Sequence, residues 1–233
     1  MDSGMYAALS GNMVAMRKLD VVANNLANIG TAGFKKDRIM FESLLEKAAS
    51  PNQTADRMDT DFTVGPAKET GNSLDLALEG DGFFVVNTPQ GPAYTRQGRF
   101  HLGTNGRLLT SEGFEVQGGG AITLSGGKPD IDAKGRISVG GKEVGTLDIV
   151  DFPKPYALKK AGNTLFVPAD EQTAAQPAKT TRVQQGFLED SNVNSIQEMT
   201  QLIETNRFFE ACQKVIKSYD EMKDKAVNEL GKL

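Results

Sequence analysis

The sequence predicts an α+β protein: paired N- and C-terminal helices forming a coiled-coil-like domain, plus a central antiparallel all-β domain with extended connections. Three observations carry this reading. Each end of the chain bears an apolar seam at steps of three and four. The glycines concentrate between Gly65 and Gly145, where short β-prone runs alternate with turns. No proline follows Pro177, so the C-terminal seam can run as one long helix.

The first element spans residues 1 to about 30. Met5, Leu9, Met16, Leu19, Ala23 and Leu26 recur at helical spacing, with Asn12 in the remaining slot. Ala8, Ala15 and Val22 widen the same face. Gly30 is read as the residue that stops the helix. The last element spans residues 190 to 231. Ser195 and Glu198 have the spacing of a capping box, with Asn194 as the alternative cap. Leu202, Thr205, Phe209, Cys212, Ile216, Tyr219, Lys223, Ala226 and Leu230 then follow a heptad pattern. Residues 1–40 hold five basic and three acidic side chains, a balance of +2. Residues 188–233 hold six basic and nine acidic, a balance of −3. Opposite signs favour laying the two helices together, and neither can bury its stripe alone.

Between them, Phe83–Val86 meets a turn at Thr88–Gly91 and returns through Ala93–Arg96. Asn105-Gly106 marks a second hairpin, with 107–110 returning. Further strands are expected at 115–117, 121–124, 136–139 and 146–150. Residues 51–63 are polar and read as a loop. The domain boundaries expected are 1–32 with 188–233, an extended connecting region at 33–79, and the β domain at 80–187.

Composition narrows the function. The 233 residues are 39% hydrophobic and 24% charged, enough to build a core. A net charge of −4, with no dense Lys/Arg stripe, argues against nucleic acid. No run of about 18 apolar residues exists, so no membrane insertion is expected. Arg17 and Lys18 follow the first apolar residues instead of preceding them, unlike a cleavable secretory leader. His101 is the only histidine and Cys212 the only cysteine, 111 positions apart, so neither a metal cluster nor a nucleophilic triad is expected. Gly118–Gly120 and Gly140-Gly141 lack the Lys-Ser/Thr of a phosphate loop. The chain reads as a non-enzyme without cofactor.

Three motifs are more specific. The first is Ala23-Asn24-Asn25-Leu26-Ala27-Asn28-Ile29-Gly30-Thr31-Ala32-Gly33-Phe34-Lys35, with Arg38 and Phe41 after it. The second is Gly80-Asp81-Gly82-Phe83-Phe84-Val85-Val86, followed by Tyr94–Phe100 and Asn105–Leu108. The third is Leu188-Glu189-Asp190-Ser191-Asn192-Val193-Asn194, with Glu198-Met199 and Arg207. In this order they resemble the bacterial flagellar rod and hook proteins over nearly the whole chain. The short length and the ending 209–231 look most like the proximal rod protein, with a distal rod or hook subunit as alternative.

The resemblance implies an inner assembly domain made by the paired helices, polymerising into a drive shaft that transmits torque across the periplasm. It implies copies of itself, other rod subunits and the flagellar type III export apparatus as partners. It also implies a periplasmic place in the basal body, reached without a cleaved signal peptide. Residues expected in subunit assembly are Met5, Leu9, Met16, Leu19, Asn24, Asn25, Leu26, Asn28, Phe34, Lys35, Leu202, Arg207, Phe209, Cys212, Ile216 and Tyr219. For the three asparagines, local capping and hydrogen bonding to the joint below Gly33 or to a neighbouring subunit both remain open. For Lys35 and its basic neighbours, the alternatives are offsetting the helix dipole and an intersubunit contact. The reading from another class is a β-rich polysaccharide-binding module that dimerises through its helices.

Overall fold

A computed structural model describes residues 2–41, 56–119, 127–162, 164–170, 173–178 and 180–230. The strand expected at 121–124 lies outside these residues. The chain forms two compact units. The first comprises Met1–Ala27, Asp37–Asp59 and Asn194–Leu233; the second comprises Asn28–Lys36 and Thr60–Val193.

In the first unit, helix α1 (Asp2–Ala27) packs along helix α2 (Ser195–Leu230). Twenty-six and 36 residues make rods of about 39 and 54 Å at 1.5 Å per residue. The pairing is antiparallel: Gly4 faces Tyr219, Gly11 faces Cys212 and Asn25 meets Glu198. Strands Asp37–Phe41 and Asp56–Thr60 form a two-stranded ribbon in the same unit. The second of these overturns part of the expected loop at 51–63.

Two cap expectations are corrected. Asn194, not Ser195, caps α2: its Oδ1 accepts from the N–H groups of Ile196 at 3.1 Å and Gln197 at 3.2 Å. Glu198 is thereby released from capping and turns to Asn25. At the other helix, α1 ends at Ala27 and Gly30 does not adopt the left-handed conformation. That conformation occurs at Gly33, with φ +69°. A side chain at Gly33 would run into the backbone of Arg96 and Gln97, so only glycine fits there.

The second unit is antiparallel β. Its largest sheet runs in the order Leu158–Lys160, Leu165–Pro168, Gly91–Thr95, Phe83–Thr88, Glu115–Val116, Leu108–Thr110, Phe100–Leu102. Strand Ile149–Asp151 pairs with both Phe83–Thr88 and Gln176–Pro177. Strand Phe83–Thr88 is buried on both faces. Phe84 and Val86 enter a core with Leu76, Phe100, Leu108 and Ile137. Phe83 and Val85 enter an aromatic cluster with Tyr94, Phe152 and Phe166. Burying each such side chain contributes about 1.5–3 kcal/mol. The Asn105-Gly106 hairpin is present, but Leu102 pairs with Leu108, so the loop has five residues, 103–107. Gly106 alone in it takes a positive φ.

Residues 33–79 hold more structure than an extended connection. Leu76–Glu79 pairs with Arg182–Gln185, and Ala67–Glu69 pairs with Phe187–Glu189. Leu76 and Leu78 lie in the core. Leu76–Glu79 shows no period-two alternation because both of its faces are covered, Leu76, Ala77 and Leu78 all being buried.

Candidate functional site

The expected assembly residues fall into two groups, one in each unit. In the helix pair, the centre of contact on α2 is the seam read from sequence. Thr205 and Cys212 are buried, and Leu202, Phe209, Ile216 and Tyr219 are half-buried. On α1 the centre lies one residue to the side of the expected stripe. Gly4, Ala8, Gly11, Ala15, Val22 and Asn25 face α2, and Ala8, Ala15, Val22 and Asn25 are buried. The reason is size. A side chain at Gly11 would sit 3.1 Å from Cys212 Sγ, so small residues let the helices close up where leucines would hold them apart.

The larger residues of the α1 stripe are consequently left at the rim. Met5, Leu19 and Leu26 are half-buried, whereas Leu9 is 47% and Met16 53% exposed. Tyr6 and Met13 join them in the open. On α2, Ile196, Met199, Ile203, Phe208, Val215, Met222 and Val227 are also exposed. Sequence reading passed over Tyr6, Met13 and Ile203, although their own 3-4 spacing against the seam was the available signal. Arg207 and Asn24 are exposed as well.

At one end of the pair, Asn25 is a connector. Its Oδ1 accepts from Asp37 N at 3.0 Å, and its Nδ2 donates to Asp37 O at 2.9 Å and to Glu198 Oε2 at 3.3 Å. One buried amide thus joins α1, α2 and the ribbon. Its partners lie in its own chain, at Asp37 past the glycine joint and at Glu198 on α2, and none of these bonds is a cap of α1.

In the β unit, Phe34 and Lys35 are not surface contacts. Phe34 is buried under the Lys160 ammonium, 4.3 Å from the ring centroid. Lys35 is fully buried: its Nζ lies 2.5 Å from Glu189 Oε1 and donates to Thr63 O at 2.6 Å. Arg96, also buried, donates to Glu189 Oε2 at 3.2 Å and to the carbonyls of Leu78 and Gly80. Gly65 N completes the carboxylate's partners at 3.0 Å. Burial is the leading influence on Lys35 and holds its pKa below the ordinary 10.5, against the opposing pull of Glu189.

Asn192 reinforces this clasp. It accepts from Lys36 N at 2.8 Å and donates to Asp61 O at 2.7 Å. Asn28 is buried and accepts from Thr31 Oγ1 at 3.2 Å, a local turn bond. Neither Glu189 nor Arg96 was singled out as a site from sequence. Their partners are distant in the chain, and no periodicity signals a buried charge.

Among the described residues no group of His, Cys, Asp and Glu could hold a metal ion. Among the same residues no helix is long and apolar enough to cross a membrane.

Comparison with known proteins decides the family. Residues 5–35 match the family model "Flagella basal body rod protein". Residues 77–139 match "Flagellar hook protein FlgE/F/G D1 domain", and residues 184–229 match "Flagellar basal body rod FlgEFG protein C-terminal". The chain is 38% identical to the flagellar basal-body rod protein FlgF of Caulobacter vibrioides, over 100% of both chains. The chain belongs to the flagellar basal-body rod protein family. It is also 35% identical to FlgF of Rhizobium meliloti, over 99% of each chain. Against FlgG of Bacillus subtilis it is 33% identical, over 96% of this chain and 97% of the relative. Rod proteins are structural subunits, not enzymes, and this chain is one of them. The polysaccharide-binding alternative is not favoured.

Proposed function

We propose that this rod subunit polymerises through the α1–α2 pair, whose two helices form a coiled-coil-like inner assembly domain that stacks against neighbouring copies. The proximal rod is the segment favoured, following the ending of α2 and the FlgF relatives. The shaft so formed carries torque across the periplasm. Other rod subunits adjoin it, and the type III export apparatus delivers the chain.

The observation that carries this reading is the apolar surface left uncovered on both helices, from Leu9 and Met16 on α1 to Phe208 and Met222 on α2. A lasting monomer seldom leaves such stripes open, whereas a subunit buries them against its neighbours. Rod placement is tested with Met16→Glu, a change on the open side of α1. The variant is expected to fold, by circular dichroism, and to be missing from purified basal bodies of a non-motile strain. Normal motility with normal incorporation of that variant would defeat the proposal.

A further inference from the structure

The chain passes between its two units at four points, and three stretches of the β unit carry those crossings: residues 28–36, those from 60 onward, and those up to 193. All three meet at the buried charges. Lys35 bonds to Glu189 and to the Thr63 carbonyl. Gly33 N donates to Glu189 O at 2.7 Å, and Asp61 N donates to Lys36 O at 2.9 Å. Asn192 accepts from Lys36 N and donates to the carbonyls of Asp61 and Thr63. Arg96 ties the second oxygen of Glu189 to the carbonyls of Leu78 and Gly80. Apolar residues of similar volume would fill such a site at equal or lower cost, so stability alone does not account for the ions.

The helix pair, by contrast, has a long loop to close. Its joined ends, Ala27 and Ser195, are separated by residues 28–194, 167 in all. With 33–36 held against 189–192, only 28–35 and 189–194 remain to span the gap, 14 residues. Closure entropy grows as (3/2)RT ln n, so the shorter span favours the pair about fortyfold. The interface has little to set against losing that advantage. Gly4, Ala8, Gly11 and Ala15 line much of its α1 side, and small side chains bury little apolar surface. Asn12 Oδ1 is buried there with no hydrogen-bond partner, which weakens the pair further. Helices in proteins draw most of their stability from packing of this kind.

We infer that the Lys35–Glu189–Arg96 cluster, with Asn192 beside it, is a fastener on which the helix pair depends: α1 and α2 stay together in the single chain only while it holds residues 33–36 against 189–192. Every bond of the fastener lies within the β unit, and its effect reaches the helices through the short chain segments that leave it. The inference concerns one chain and does not rest on how copies meet in the rod.

Amide hydrogen exchange on the purified full-length chain tests it, with strand Phe83–Thr88 as internal reference. In wild type, α1 should be protected. Asn192→Ala unties Lys36 and Asp61 and strands no buried charge, because Asn192 is neutral and half-buried. It should lower protection along α1 severalfold and leave Phe83–Thr88 unchanged. Glu189→Ala breaks the centre of the fastener and should lower α1 protection by up to about fortyfold, the whole closure advantage. Should Glu189→Ala not fold, Asn192→Ala carries the comparison. A covalent tether then separates loop closure from any other role. A side chain at Gly11 would begin 3.1 Å from Cys212 Sγ, within reach for Gly11→Cys to form a disulfide with the chain's own cysteine. With that bond formed, both substitutions should leave α1 as protected as in the oxidised parent. Wild-type protection of α1 in the substituted chains would overturn the inference, because the pair would then stand unaided. So would wild-type helices without protection, or a loss that persists in the disulfide-bonded chain. An equal loss at Phe83–Thr88 in Asn192→Ala would also overturn it, since the helices would merely be following the β unit as it unfolds.

Discussion

The two units of this chain treat water in opposite ways. The β unit takes charges inside: Lys35, Arg96 and Glu189 are 0%, 3% and 2% exposed and bond to one another and to nearby backbone groups, with only Arg96 Nε among their described bonding atoms left without a partner. The helix pair leaves oil outside, with Leu9, Met13, Met16 and Phe208 about half exposed. A buried ion cluster is tolerated only where its partners are already in place. An exposed apolar stripe is tolerated only where its partner is still to come. The contrast teaches that the β unit draws its charge partners from its own chain, whereas the helix pair, on the proposed function, is finished by its neighbours.

The contrast is broken most severely at Glu189, the one carboxylate paired with both buried cations. Glu189→Ala strands Lys35 and Arg96 without an anion, and removing one member of a buried pair costs about 3–5 kcal/mol. Urea unfolding should show the β unit destabilised by that order. Replacing Lys35 and Glu189 together by methionine should cost less than Glu189→Ala alone. A loss below about 1 kcal/mol for Glu189→Ala would mean that the cations relax to water.

Next in size is a dependence on pH. Burial depresses the Lys35 pKa below 10.5 in the folded chain. Between that lowered value and 10.5, the unfolded chain holds a proton that the folded chain has released, so stability rises with pH across the window. Tyr94 and Tyr156 have pKa values raised above 10, in both cases chiefly by burial. Their contribution is present below 10 and is lost as pH climbs above it, so the lysine effect is read below pH 10. Wild type should gain on Lys35→Met as pH rises towards 10. A difference that does not change with pH would show that Glu189 restores the ammonium's ordinary pKa.

How much of this was legible in sequence follows from the range of the forces involved. The α2 seam was readable residue by residue, because a heptad needs only local spacing. Strand Phe83–Thr88 was readable as a run of β-prone residues. The α1 contact face was read in part: Ala8, Ala15 and Val22 were placed on it, but the stripe was centred one residue aside because the reading weighted large apolar side chains. Gly4 and Gly11 determine the approach precisely because they lack one, and what they face is Tyr219 and Cys212 more than 200 positions away. Glu189 carried no local signal: its partners Lys35 and Arg96 are 154 and 93 positions distant. The cap of α2 had two candidates, and only the hydrogen bonds from Ile196 and Gln197 chose Asn194.

That cap gives the third prediction. Asn194→Ala removes a side-chain acceptor from two first-turn N–H groups and should cost about 1 kcal/mol of helix-pair stability. Ser195→Ala should cost less. The reverse order would restore the Ser195–Glu198 capping box.

The smallest expected effect on stability sharpens the contrast most. Met13 is 53% exposed on α1, so Met13→Gln removes almost no buried surface from the single chain. Its stability should stay within about 0.5 kcal/mol of wild type, as for surface changes away from special features. A core methionine replaced by a polar residue would cost several times more. If the stripe is covered in the assembled rod, the same variant should still reduce incorporation into basal bodies, because there the amide is forced against apolar neighbours without a bonding partner. Thermal unfolding of the purified chain, set beside its amount in basal bodies, separates the two. A variant unaltered in both would leave Met13 facing solvent in the finished rod and would confine the covered surface to the side bearing Leu9 and Met16.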